Sequence, residues 1–166
     1  MGVDGLKTGH TEAAGYGLIA SGERNGRRLV LVVNGLPNMQ ARADESARLL
    51  EWGFREFDAY AFFKAGETVD SLPVWLGQQE QVPVVIENDL KLTLTHEQRR
   101  NVQVALVGEA PVKAPIAKGT KLATLRITGP DVKPVEIPLL AGADVAELGF
   151  FGRIGAAANH FVFGGS

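Results

Sequence analysis

The chain has 166 residues, 17 Lys and Arg against 19 Asp and Glu, no cysteine, and 45% apolar residues. That length and apolar content suit one ordinary domain or two small ones and exclude wholesale disorder. A net charge of −2 with cations spread along the chain excludes a basic nucleic-acid binder, and the missing cysteines exclude disulfides and thiolate metal sites.

The opening residues, MGVDGLKTG, have neither the basic n-region nor the apolar h-region of a signal peptide. Two expectations follow: a cytosolic protein, or a Met1 that is not the natural start. No apolar run reaches the roughly 18 residues of a spanning helix. Gly15 to Ser21 and Arg27 to Val33 read as strands, with hairpin chemistry in Glu23-Arg24-Asn25-Gly26 between them. Leu29 to Val33 is almost continuously apolar, which predicts a strand buried on both faces. Ala43, Ala47, Leu50, Phe54 and Phe57 follow at helical spacing and predict one helix with those residues on its inner face, weakened near its end by Gly53. This first region, residues 1–60, leaves sheet edges and a helix face uncovered. It is expected to be molten alone, to form a homo-oligomer, or to swap with a neighbour.

From 61 to 148 the pattern changes. Short apolar runs recur at Val82 to Ile86, Leu90-Leu92-Leu94, Val102 to Val107, Ala123-Leu125-Ile127 and Val135-Ile137-Leu139, divided by Pro and Gly. Short strands between frequent turns predict a small antiparallel β-sandwich. Val69 to Trp75 would add an edge strand, and no helix of convincing length is predicted here. The Glu97 to Arg100 run reads as a solvated turn. In the tail, 149–166, Phe151, Ile154, Ala158 and Phe161 share a helical face continuing from Leu148. That pattern suits an amphipathic segment lying on a membrane surface, or one docked on the sandwich.

The chemistry-bearing stretch is Val3-Asp4-Gly5-Leu6-Lys7-Thr8-Gly9-His10-Thr11. On a strand, a Lys and a Thr hydroxyl can hold a carboxylate by charge and hydrogen bond. Gly9 removes a side chain where an extended peptide would pair with the strand edge. The backbone N–H of His10 can complete an oxyanion hole. A bare Lys-Thr-Gly is more often a solvated Lys beside a turn. A P-loop would need Gly where Leu6 stands.

The context is more specific than the tripeptide. DGLKTGHT, AGYGLIAS, ADESARLLEWGFREF, PVWLG, Ala114-Pro115-Ile116 with Lys118-Gly119, and GFFGRI together resemble the low-molecular-mass penicillin-binding D-alanyl-D-alanine carboxypeptidases across nearly the whole chain. The resemblance implies an α+β, mainly β chain: a partial β-lactamase-like sheet with one helix over 1–60, a sandwich over 61–148, and an amphipathic membrane-associating tail. It implies that Lys7 supports the proton network and the substrate carboxylate, and that His10 offers its N–H to the tetrahedral intermediate. Thr8 would bond the carboxylate, Gly9 would admit the peptide, and Arg42 would help to neutralise its terminus. Arg42 is equally well a surface residue at a helix start. The partners implied are the peptidoglycan stem peptide, β-lactams and the cytoplasmic membrane surface on its periplasmic side, with no cofactor and no metal.

One departure stands out. The family's nucleophile lies in a Ser-x-x-Lys motif, with a Ser-x-Asn after it, both before Lys-Thr-Gly. None of Ser21, Ser46, Ser71 and Ser166 has Lys three positions on or Asn two positions on. The chain is therefore expected to be a catalytically silent piece of a serine-type carboxypeptidase. The alternative is a non-catalytic module that positions or anchors cell-wall enzymes; a β-lactamase fits the downstream region poorly. His96 and His160 are isolated and expected to be plain surface or half-buried histidines, and His10-Thr11-Glu12 is too short for a ligand set. Trp52 and Trp75 are expected in the core.

Overall fold

The computed structural model of the chain describes residues 3–149, which are mainly β. The tail expectation falls on residues that lie, beyond Gly149, outside the described ones. Two compact units form: residues up to 60 together with 93–99, and 61–92 together with residues from 100 on. Among the described residues no helix is long and apolar enough to cross a membrane.

In the first unit, β1 (Val3–Thr11), β2 (Gly15–Arg24) and β3 (Arg27–Leu36) make an antiparallel sheet in that order. Asn25 and Gly26 both take positive φ, 54° and 74°, the requirement of a two-residue hairpin whose twist suits its strands. Helix α1 (Met39–Glu56) starts where the Asn38 carboxamide accepts a 2.8 Å bond from the Ala41 N–H, satisfying a donor the helix itself cannot. Its other end is held by the hairpin. Arg27 donates to the carbonyls of Gly53 and Phe54 at 3.3 and 2.7 Å, and Arg24 grips Glu51 at 2.7 and 3.1 Å. A cation on the last carbonyls of a helix complements its dipole.

Two details of this unit differ from the sequence expectation. The buried residues of α1 are Ser46, Leu50 and Gly53, whereas Ala43 and Ala47 are exposed. The stripe is rotated because Gly53 is the point of closest approach: a Cβ there would stand 3.0 Å from Leu29 Cδ1. Phe57 ends the helix and begins the next strand. Second, β3 is buried on one face only. Leu29, Leu31 and Val33 meet the core of Leu18, Ala20 and Leu50, while Val30 and Val32 are each 67% exposed. The apolar run carries valines that this sheet, covered by α1 on one side, leaves in the open.

The second unit is built from β5 (Thr68–Trp75), β6 (Gln81–Val85), β8 (Gln103–Val107), β9 (Val112–Lys113), β10 (Lys121–Gly129) and β11 (Val132–Ala141). They form one sheet in the order β8-β10-β11-β6-β5-β9, antiparallel except for the short β5–β9 pair. β5 was expected at an edge. It has β6 on one side and β9 on the other, because Val112 and Lys113 pair with Val74 and Trp75. Strands β4 (Phe57–Phe63) and β7 (Leu90–Thr95) make a separate two-stranded ribbon. The core joins Val82, Val84 and Ile86 to Leu125, Ile127 and Leu139, all nearly inaccessible to solvent. After β11 the chain is stitched down: Leu148 N–H donates to the Leu76 carbonyl and Gln78 N–H to the Ala146 carbonyl, both at 2.8 Å. Gly77 sits inside this crossing, where an added Cβ would lie 2.6 Å from Val74 Cγ1 and 2.8 Å from Val145 Cγ1.

The run expected to be a solvated turn is a short helix, α2 (His96–Asn101). Thr95 and Gln98 exchange bonds across its first turn, 2.9 Å from Thr95 N–H to Oε1 and 3.1 Å from Gln98 N–H to Oγ1. That reciprocal pair is a capping box, and Thr-x-x-Gln is legible in the sequence.

Candidate functional site

The Lys-Thr-Gly strand is β1, which pairs with β2 on one side and forms the outer strand of its sheet. The register sets Lys7 against Ile19, Thr8 against Leu18, Gly9 against Gly17 and His10 against Tyr16. Neighbouring residues of a strand face opposite sides. Thr8 therefore shares the helix-covered side with buried Leu18, and His10 lies on that side too. Lys7 shares the open side with Ile19, which is 49% exposed. The five predicted site residues are thus split: Thr8, His10 and Arg42 stand towards the helix side of the edge, Lys7 on the other, and Gly9 between them.

Space in front of the motif is open. A Cβ built on Gly9 would meet no heavy atom within 4 Å, so packing within the chain does not require this glycine. Gly17 behind it is different, since a Cβ there would come within 2.9 Å of Asn34 Oδ1.

Arg42 lies in the first turns of α1. Its guanidinium stands 5.7 Å from the centre of the Tyr16 ring, and that ring lies 4.0 Å from the His10 imidazole at a 31° tilt. Arg42 is therefore linked to the strand that carries the motif through two aromatic rings. Sequence reasoning passed over Tyr16; the Gly15-Tyr16-Gly17 setting was the available signal.

The open side of the sheet carries a second cation. Arg28 reaches from β3 to both Asp4 carboxylate oxygens at 2.7 Å, and also donates to Ser21 Oγ at 2.6 Å and Glu23 Oε2 at 2.7 Å. The Arg28 hydrogen bond holds the Asp4 carboxyl below its ordinary range, and the Asp4 carboxylate in turn raises Arg28. This clasp ties all three strands together beside Lys7.

Other residues singled out in the sequence fall elsewhere. His96 is not isolated: its Nε2 lies 3.1 Å from Asp58 Oδ2, and Arg27 approaches the same carboxylate at 3.9 Å. Trp52, expected in the core, is 45% exposed and stands edge-on to Phe57 at 5.2 Å. Trp75 is half-buried on β5. Among the described residues no cluster of three or more His, Cys, Asp or Glu could hold a metal ion. His160 lies outside them.

Comparison with known proteins separates the chain into two stretches. Residues 1–38 match the family model described as D-alanyl-D-alanine carboxypeptidase, and residues 57–147 match the model described as penicillin-binding protein 5, C-terminal domain. Helix α1 lies between the two matches. D-alanyl-D-alanine carboxypeptidase DacA of Escherichia coli (strain K12) is 34% identical over 156 residues, covering 93% of this chain and 38% of the relative. DacF of Bacillus subtilis (strain 168) is 29% identical over 150 residues, covering 90% and 39%. Among solved structures, penicillin-binding protein 5 from Haemophilus influenzae superposes with a TM-score of 0.68 at 32% identity, over 89% of this chain and 43% of that one. DacD from Francisella tularensis gives 0.69 at 28% identity, over 88% and 37%. The chain spans about two-fifths of the length of the curated relatives it matches.

Proposed function

We propose a function from one premise: the chain belongs to the penicillin-binding protein 5 family of D-alanyl-D-alanine carboxypeptidases. On this reading β1 is one wall of an acyl-transfer site that trims the D-alanyl-D-alanine end of a peptidoglycan stem and is acylated by β-lactams. The observation that carries it is the outer edge of β1, without a strand partner among the described residues, with open space in front of Gly9. An extended peptide can add to such an edge through main-chain hydrogen bonds. Lys7 and Thr8 supply charge and a hydroxyl for its terminal carboxylate, with Arg42 as a second cation. The His10 N–H donates to the oxygen that becomes negative as the carbonyl is attacked.

The serine nucleophile is not among these residues, for none of the chain's serines sits in Ser-x-x-Lys. The chain alone then neither hydrolyses D-alanyl-D-alanine nor forms a penicillin adduct. Joining the N-terminal portion of the E. coli relative to residues 1–166 restores a complete site. Fluorescent penicillin should label that hybrid, and Lys7→Ala should slow labelling by at least about 100-fold, as loss of a proton-transfer group does. A stoichiometric adduct on the isolated chain, or full labelling of the Lys7→Ala hybrid, would overturn the reading.

The proposed division is residues 1–60 as the end of a catalytic domain, 61–148 as a C-terminal β module, and 149–166 as a segment that lies on the outer face of the cytoplasmic membrane. Liposome flotation with and without the residues after Leu148 tests the last part; equal flotation would remove it. Association of copies through the open side of the first unit is the expected state of the isolated chain, and light scattering reads it.

A further inference from the structure

We infer that Tyr16 is a positioning residue: its ring holds the Arg42 guanidinium beside the Lys7-Thr8-Gly9 strand, where a peptide carboxylate laid along β1 would meet it. The inference rests on the proposed function for the identity of the ligand, but its geometry stands separately. Three observations carry it. The Tyr16 ring has two neighbours, the His10 imidazole at 4.0 Å and the Arg42 guanidinium over the ring at 5.7 Å from its centre. A guanidinium within about 6 Å of a ring centre is attracted by its electron-rich face. The second observation is the backbone. Tyr16 pairs with His10 on β1 and with Leu36 on β3, and the ladder to β3 slips by one residue between Tyr16 and Leu18. An irregularity of this kind re-aims a side chain.

The third is the pair of glycines on either side. Gly15 has φ of +67°, and a Cβ there would stand 2.9 Å from the Leu36 carbonyl oxygen; Gly17 is closed in by Asn34. The chain thus accepts two conformationally costly residues and a register slip around a single tyrosine. Arg side chains are long and lose much freedom when fixed. A ring beneath the guanidinium fixes it before the ligand arrives, which raises affinity without adding a contact to the ligand. The hydroxyl has no part in this, so phenylalanine should serve.

Two measurements on the full chain test the idea. In the absence of ligand, NMR should show the Arg42 δ-methylene and His10 ring protons displaced by the Tyr16 ring current. Tyr16→Phe should keep that displacement and Tyr16→Leu should abolish it, with amide dispersion in β2 and β3 reporting that the sheet persists. In the second measurement the chain is titrated with acetyl-D-alanyl-D-alanine and with its C-terminal amide. Tyr16→Leu should weaken the acid about two- to five-fold, the equivalent of one cation–π contact, and leave the amide unchanged; Tyr16→Phe should bind both like the native chain. Arg42 resonances indifferent to Tyr16→Leu would overturn the inference. So would an equal loss for acid and amide, or none for either. A native chain that binds acid no better than amide would instead overturn the carboxylate reading of β1, while the ligand-free spectra still decide whether Tyr16 holds Arg42.

Discussion

The two units solve the same problem, covering apolar strands, with different completeness. The β module encloses its core: Val82, Val84, Ile86, Ile127 and Leu139 are wholly inaccessible, and Val145, Ala146 and Leu148 are hydrogen-bonded back to Ile116, Gln78 and Leu76. The sheet of the first unit is covered on one side only. Its core is Leu18, Ala20 and Leu50 with a few half-buried neighbours, while Ile19, Val30 and Val32 remain in the open beside Lys7. Burial is the main favourable contribution to folding, so the first unit leans on polar fastenings at its rim. These are the Arg24 and Arg27 grip on α1, the Asn38 cap and the Arg28 clasp. The unit with the proposed chemistry is the less self-sufficient one, as expected of a surface left free to receive a ligand.

That contrast can be broken most directly in the closed core. Ile127→Ala should destabilise the β module by about 2–5 kcal/mol, and Leu50→Ala should cost its own unit nearer the low end, because an open sheet collapses more easily around a lost side chain. Urea denaturation followed by amide signals of each unit measures both, and equal costs would contradict the comparison. Gly77→Ala is next. With Val74 and Val145 already at the limit, overpacking should cost about 1–3 kcal/mol, seen as an earlier transition in the β module alone. Arg27→Ala should remove about 1–2 kcal/mol from the first unit and fray the last turn of α1, read from carbon chemical shifts. Asn38→Ala should cost about 1 kcal/mol at the other end of that helix.

The smallest effect is that of pH. Asp4 is exposed and Glu51 half-buried, and their arginine partners, Arg28 and Arg24, hold both carboxylates below their ordinary values of 3.8 and 4.5. A carboxyl depressed in the folded state stabilises it at pH above that ordinary value, and the contribution fades as pH falls through and below it. Amides of β1 and β2 should therefore exchange faster below about pH 4, after correction for intrinsic rates.

Much of the fold was legible. The Asn25-Gly26 turn, the long helix α1 and the run of short strands after residue 61 each have a local cause that the sequence displays. Errors arose where a pattern has two physical readings. Leu29 to Val33 looked enclosed because continuous apolar character does not say how many layers surround a strand. Ala43 and Ala47 looked inward because alanine fits either side of a helix, whereas Gly53, read as a weakness, marks the helix–strand contact. β5 looked like an edge because β9, its neighbour, is only Val112–Lys113, too short to announce itself. At the candidate site, Lys7, Thr8, Gly9, His10 and Arg42 could be named in advance from motif and resemblance. Their division across the two sides of β1 could not, since it depends on register with β2, nor could Tyr16, whose importance lies in its two neighbours, the His10 ring and the Arg42 guanidinium.

The crossing at Gly77 has a mechanical consequence. Leu148 and Ala146 are bonded to Leu76 and Gln78, and Val145 exchanges bonds with Ile116 on the floor of the core. A load applied at Leu148 falls at once on those hydrogen bonds and on the central apolar layer directly behind them. A pull at Leu148 therefore strains the buried core of the β module first, as a rope made fast to a keel and not to a rail.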